Sequence, residues 1–99
     1  MICVKVHKSY RNVVALCDSD LVGKKFEEGI KQLDLRENFY KEKELDESEA
    51  AQLIKFQAKE DSTFNIVGQK SIALAEKLGI ISSEGIMKIQ NIPFALILL

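Results

Sequence analysis

Ninety-nine residues, 46% of them hydrophobic, with one Pro, two Cys and no Trp, predict a single domain over residues 1–99 with one modest core, unlike an intrinsically disordered chain. Fourteen Lys and Arg stand against fifteen Asp and Glu, and a net charge of −1 excludes a strongly basic nucleic-acid module of the histone-tail kind. The longest apolar run, Phe94 to Leu99, falls far short of the roughly 18–20 residues of a membrane span, and Met1 to Lys5 lack a signal-peptide layout, so the expected setting is cytoplasmic, with no membrane partner.

Along the chain, Ile2, Val4 and Val6 alternate with Cys3, Lys5 and His7, the period of a half-buried strand. Ser9-Tyr10-Arg11-Asn12 supplies turn chemistry, and Val13 to Cys17, apolar on both faces, predicts a second strand inside a sheet. A loop over Ser9–Arg11 sets Cys3 opposite Cys17 with Val4, Val6, Val14 and Leu16 on one face. A loop one residue shorter sets Val4 opposite Cys17, and the spacing leaves both registers open. Asp18-Ser19-Asp20 offers helix caps, and Leu21 to Gly29 reads as one or two helical turns followed by a loop. Leu33 and Leu35 alternate with Gln32 and Asp34 in a third strand over 30–35.

Residues 34–61 carry nine acids against five bases. Within them Leu45-Asp46-Glu47-Ser48-Glu49 opens a helix with acids at its positive pole, Ala50, Leu53, Ile54, Gln57 and Ala58 as inner stripe, and Lys55 and Lys59 near its end. Phe39-Tyr40 just upstream is read as core. Asn65-Ile66-Val67-Gly68 leads into a second helix, Gln69 to Leu78, closed by Gly79 as a left-handed C′ residue with Ile80 behind it. Strands over 86–90 and 94–99 follow. With strands at both ends and helices between them, the fold class is α+β, a mostly antiparallel sheet with helices packed on one face.

The string Asp18-x-x-Leu21-x-Gly23-Lys24-x-Phe26-x-x-Gly29, then Phe39-Tyr40, Asn65-x-Val67-Gly68 and Ile89 to Ala95, resembles the archaeal domain-of-unknown-function 424 family over nearly the whole chain. The resemblance implies a small cytosolic archaeal protein of a family predicted to bind RNA. It departs at Pro93-Phe94-Ala95, where Pro-His-Ala is expected, so an imidazole function in relatives would be missing here.

The residues offer few routes to catalysis. His7 is the single His; with Cys3 and Cys17 it suggests a zinc site or a Cys–His nucleophile, but Cys-x-x-Cys spacing and a fourth ligand are missing, and buried hydrophobe is the ordinary role of such cysteines. The carboxylates between Glu42 and Glu49 read as a solvated helix start. No P-loop, Gly-x-Gly-x-x-Gly or Gly-x-Ser-x-Gly occurs. No catalytic residue, metal or cofactor is therefore assigned.

Two binding candidates remain. Gly68, Gln69, Lys70 and Ser71 open a helix whose free amides would attract the phosphate of a small molecule. Residues 1–33 carry six cations against four acids, and Lys5, Lys8, Arg11, Lys24 and Lys25 with Tyr10 make a candidate RNA contact, the ring stacking on a base while the cations meet phosphates. The leading expectation is thus a non-enzymatic RNA- or ribonucleoprotein-binding module. The alternative is an assembly subunit, a homodimer that joins sheets through the apolar ending Ile97-Leu98-Leu99.

Overall fold

Alternation at the amino terminus forms β1 (Ile2–His7), which turns back through residues 8–12 into β2 (Val13–Asp18). The structure, a computed structural model, describes residues 1–97. β1 and β2 pair antiparallel with Cys3 opposite Cys17, which selects the longer of the two loops. Val4, Val6, Val14 and Leu16 accordingly share one face. Ser19 N–H donates to the Met1 carbonyl at 3.1 Å, continuing the ladder. Two residues inward, Cys3 and Cys17 therefore form a hydrogen-bonded pair, a type whose Cα atoms lie about 5.5 Å apart. The two thiols are free.

The stretch expected to be helical turns and a loop instead holds a 3-10 turn at Ser19–Leu21 and a strand, β3 (Lys25–Glu28), paired with β4 (Lys31–Asp34) in a separate hairpin. The cross-strand partners explain it. Phe26 faces Leu33, Lys25 faces Asp34 and Glu28 faces Lys31, each an apolar or opposite-charge pair that one segment read alone does not reveal.

Next come α1 (Glu37–Tyr40), β5 (Lys43–Leu45), α2 (Glu47–Lys59), β6 (Thr63–Val67), α3 (Gln69–Lys77), β7 (Met87–Ile89) and β8 (Ile92–Ile97). α2 starts as expected, in a full capping box: Asp46 Oδ1 accepts from Glu49 N–H at 2.8 Å while Glu49 Oε1 accepts from Asp46 N–H at 3.1 Å. α3 ends as expected too: Gly79 N–H donates to Glu76 O and Ile80 N–H to Ala75 O, the paired bonds of a Schellman stop.

β6 and β5 are strands beyond those anticipated. The sequence predicts only a lead-in to α3 at β6, but Phe64, Ile66 and Val67 are buried and the segment lies between β2 and β8. The last strand begins earlier than expected, at Ile92; Leu98 and Leu99 lie outside the described residues.

The main sheet runs β5-β1-β2-β6-β8-β7, antiparallel except for the parallel pair β2 and β6. This is the α+β class expected. On one face α2 and α3 bury Ala50, Ile54, Ile72, Leu74 and Ala75 against Val4, Val14, Leu16, Phe64, Ile66 and Ala95. On the other, Leu35 and Tyr40, with the hairpin's Phe26 and Leu33, cover Ala15, Cys17 and Val67.

Candidate functional site

The parallel pairing of β2 with β6 sets Cys17 beside Val67, so Asp18 and Gly68 leave adjacent strands side by side. Gly68 has φ 107° and ψ 155°, and a Cβ there would stand 2.3 Å from Asp18 Cγ. The close approach lets the buried Asp18 carboxylate cap α3 from across the sheet. Oδ2 accepts from Lys70 N–H at 3.0 Å, and Oδ1 accepts from both Ser71 N–H and Ser71 Oγ–H at 2.8 Å.

This changes the expectation of a phosphate held by Gly68, Gln69, Lys70 and Ser71. The amides of Lys70 and Ser71 already hold an anion, and it is the chain's own. A hollow of about 200 Å³ alongside is bordered by Asp18 and Asp20 with Lys70 as its cation, a poor seat for a phosphate.

On the hairpin-covered face, His7 and the two cysteines do not come together. His7 lies four residues along β1 from Cys3, about 13 Å at strand rise. Its Nε2 is 2.8 Å from Phe39 O, and its ring stacks on Phe39 with centroids 4.4 Å apart. No group of three metal-ligating side chains occurs among the described residues. Burial, then the neighbouring Asp18, pushes the Cys17 thiol up to about 12, so it stays protonated and non-nucleophilic at neutral pH. Cys3 Sγ rests 3.5 Å from Ser19 Oγ.

Phe39-Tyr40 belongs to the core, as read. Tyr40 O–H donates to Asn65 Oδ1 at 3.1 Å, tying α1 to β6, and burial followed by nearby Cys17 raises the phenol to about 12. Phe94, where relatives are expected to carry His, packs in the same apolar cluster.

The RNA candidates separate into groups. Lys8, Tyr10 and Arg11 share the β1–β2 turn, where Tyr10 is fully exposed. Ser9 Oγ–H donates to Arg11 O at 2.6 Å and Ser9 N–H to Asn12 Oδ1 at 3.4 Å, which shape the turn. Lys5 is elsewhere, its Nζ donating to Asn38 O at 2.8 Å. Lys24 and Lys25 follow the Asp18 end of β2, a strand of six residues, about 17 Å long, that separates that end from the turn. There Lys24 N–H donates to Leu21 O, and Lys25 stands opposite Asp34 with its Nζ 3.6 Å from Glu27. Of the candidate contacts, Lys8 and Arg11 thus stay with Tyr10 on the turn, while Lys24 and Lys25 stand at the other end of β2.

What the sequence reading missed is the turn's neighbour. Because Val13 pairs with Thr63, the loops that feed β2 and β6 abut, and Asn12 O accepts from Thr63 N–H at 2.9 Å. Between them lies a cleft of about 350 Å³ lined by Tyr10, Arg11, Asn12, Glu60 and Asp61. No local signal links residues 60–61 to Tyr10; only the parallel pairing does. A second exposed feature is the edge of β8. Its pairing with β7 stops at Phe94, and beyond it Leu96 is half exposed.

A comparison with curated proteins finds no match. Among solved structures the chain resembles an uncharacterized conserved protein from Methanopyrus kandleri, with TM-score 0.86 and 22% identity over 97% of this chain and 89% of that one. At that identity the likeness establishes the fold. The model of the DUF424 family, proteins of unknown function, matches residues 7–99, and the chain belongs to that family.

Proposed function

We propose that this protein is a non-enzymatic binding module that takes single-stranded RNA at the β1–β2 turn, Tyr10 stacking on a base while Lys8 and Arg11 meet phosphates. The observation that carries it is the fully exposed Tyr10 ring, set between two cations on a turn shaped by its own hydrogen bonds. Large aromatic rings are seldom left wholly in water, and base stacking is a use that every base satisfies. Two buried, unpaired thiols suit action in the reducing cytoplasm.

Filter binding of unstructured RNA across a salt series tests the proposal. Tyr10→Ala is expected to weaken binding about tenfold or more, and Lys8→Ala with Arg11→Ala to flatten the salt slope by about 1.4. Absence of binding at low salt removes it. The exposed Leu96 on the open stretch of β8 favours a second reading, a homodimer joined edge to edge. A monomer by light scattering at high concentration counts against that reading.

A further inference from the structure

We infer that the cleft beside Tyr10 is a base-reading site, selective for an unpaired guanine. The inference rests on the RNA reading above and goes beyond it by naming the base. Both walls are fixed. On one side Ser9 and Asn12 hold the turn, and Asn12 O is bonded to Thr63 N–H. On the other, α2 ends with Asp61 in the left-handed region at φ 57°, Asp61 N–H donating to Ala58 O and Ser62 N–H to Gln57 O. Ser62 Oγ–H also donates to Gln57 Oε1 at 2.7 Å inside the core, so the corner that presents Glu60 and Asp61 is anchored from below. The cleft's volume of about 350 Å³ lies within the range of small-molecule sites, and one base on Tyr10 would occupy part of it.

Charge decides which base. Glu60 and Asp61 outnumber Arg11 among the cleft's charges and disfavour phosphate on their own wall, so beside a stacking ring their useful partners are N–H donors on a base edge. Guanine carries two adjacent donors on its Watson–Crick edge, N1–H and the N2 amino group, which match the two oxygens of one carboxylate. Adenine and cytosine offer an amino group next to a ring nitrogen that accepts, and uracil offers one N–H between two carbonyls. A carboxylate would repel each of those acceptors. Asn12 Oδ1 accepts from Ser9 N–H, which leaves the amide NH₂ to donate to guanine O6. Tyr10 then supplies affinity for any base, and Glu60 or Asp61 with Asn12 supplies the choice.

Fluorescence anisotropy with short RNAs of equal length and alternating UG, UA or UC sequence tests this, with 5′-GMP as a separate arm. The UG repeat is expected to bind roughly 5- to 150-fold tighter than the others, the discrimination of one bidentate contact. Glu60→Gln with Asp61→Asn should erase that preference while leaving UA and UC binding equal or slightly tighter. Both positions are exposed, and Asn tolerates the left-handed backbone at 61, so thermal melting should show the variant folded. Equal affinity for the three RNAs, with Tyr10→Ala still weakening all of them, overturns the guanine inference and leaves the RNA reading standing. No binding to any RNA overturns both. If GMP binds as tightly as the UG repeat, the guanine site belongs to a free nucleotide and the RNA reading falls.

Discussion

Asp18 and Gly68 lie fifty residues apart in the chain and act as one unit. The carboxylate reaches the start of α3 because position 68 carries no side chain and has a backbone conformation that suits Gly. Gly68→Ala is therefore expected to destabilise by roughly 2–4 kcal/mol, from the left-handed backbone and from a Cβ driven into the carboxylate. Asp18→Ala should cost about 2–3 kcal/mol by leaving three donors without their carboxylate, two of them buried on Ser71. Urea denaturation measures both, and a loss under about 0.5 kcal/mol in either would contradict the coupling. Ser71 and Gly68 were visible as a helix start in the sequence. That the anion is Asp18 was not, because only the parallel register of β2 and β6 brings it there.

Burial also gives two residues an alkaline signature. The Cys17 thiol rises from an ordinary 9.0, and the Tyr40 phenol from 10.0, each to about 12. Both groups hold their proton longer folded than unfolded, so their contribution is complete below about pH 9 and is lost as pH rises toward 12. Stability should fall through that window, by up to about 1.4 kcal/mol per pH unit for each group. Denaturant midpoints measured from pH 8 to 11 check it, and Tyr40→Phe should flatten the upper part of the decline. A flat profile would show that the two sites open to solvent without unfolding.

Among the elements, the long helices were legible because their determinants are local. α2 announces itself through Asp46 and Glu49, three residues apart, and the structure forms both bonds of that box. Asp46→Ala is expected to cost about 1 kcal/mol of stability with little change in the chevron's denaturant slopes. A neutral result would mean that packing of Ala50 and Ile54 alone sets where the helix begins. The missed strands have non-local determinants. β5 has three residues and exists through its pairing with Ile2, Cys3 and Val4. β3 has one apolar residue, Phe26, and needs β4 opposite it to become a strand. β6 is buried on both sides of the sheet, and its apolar run merges with the approach to α3.

At the scale of the molecule, the net charge of −1 is the sum of unlike regions: six cations against four acids in residues 1–33, nine acids against five bases in 34–61. The fold does not keep these regions apart. It sets the two acids that follow α2 against the basic turn, so Glu60 and Asp61 share a cleft with Tyr10 and Arg11. It also places Lys24 and Lys25 at the far end of β2, among Glu27 and Asp34. The fold class and the placing of Tyr10 on a turn were readable from alternation and turn chemistry, whereas the face shared by Val4 and Leu16 needed the observed register. The cleft was not readable either, since it depends on which strand lies beside β2.

NMR titration of the ¹⁵N-labelled protein with a short single-stranded RNA tests the account most directly, because every backbone amide but Pro93's reports its own position. Shifts concentrated at Lys8–Asn12 and at Glu60–Ser62, with Lys24, Lys25 and Gln69–Ser71 undisturbed, are the expected result. Shifts centred on Lys24 and Lys25 or on the start of α3, or none at millimolar RNA, would contradict it.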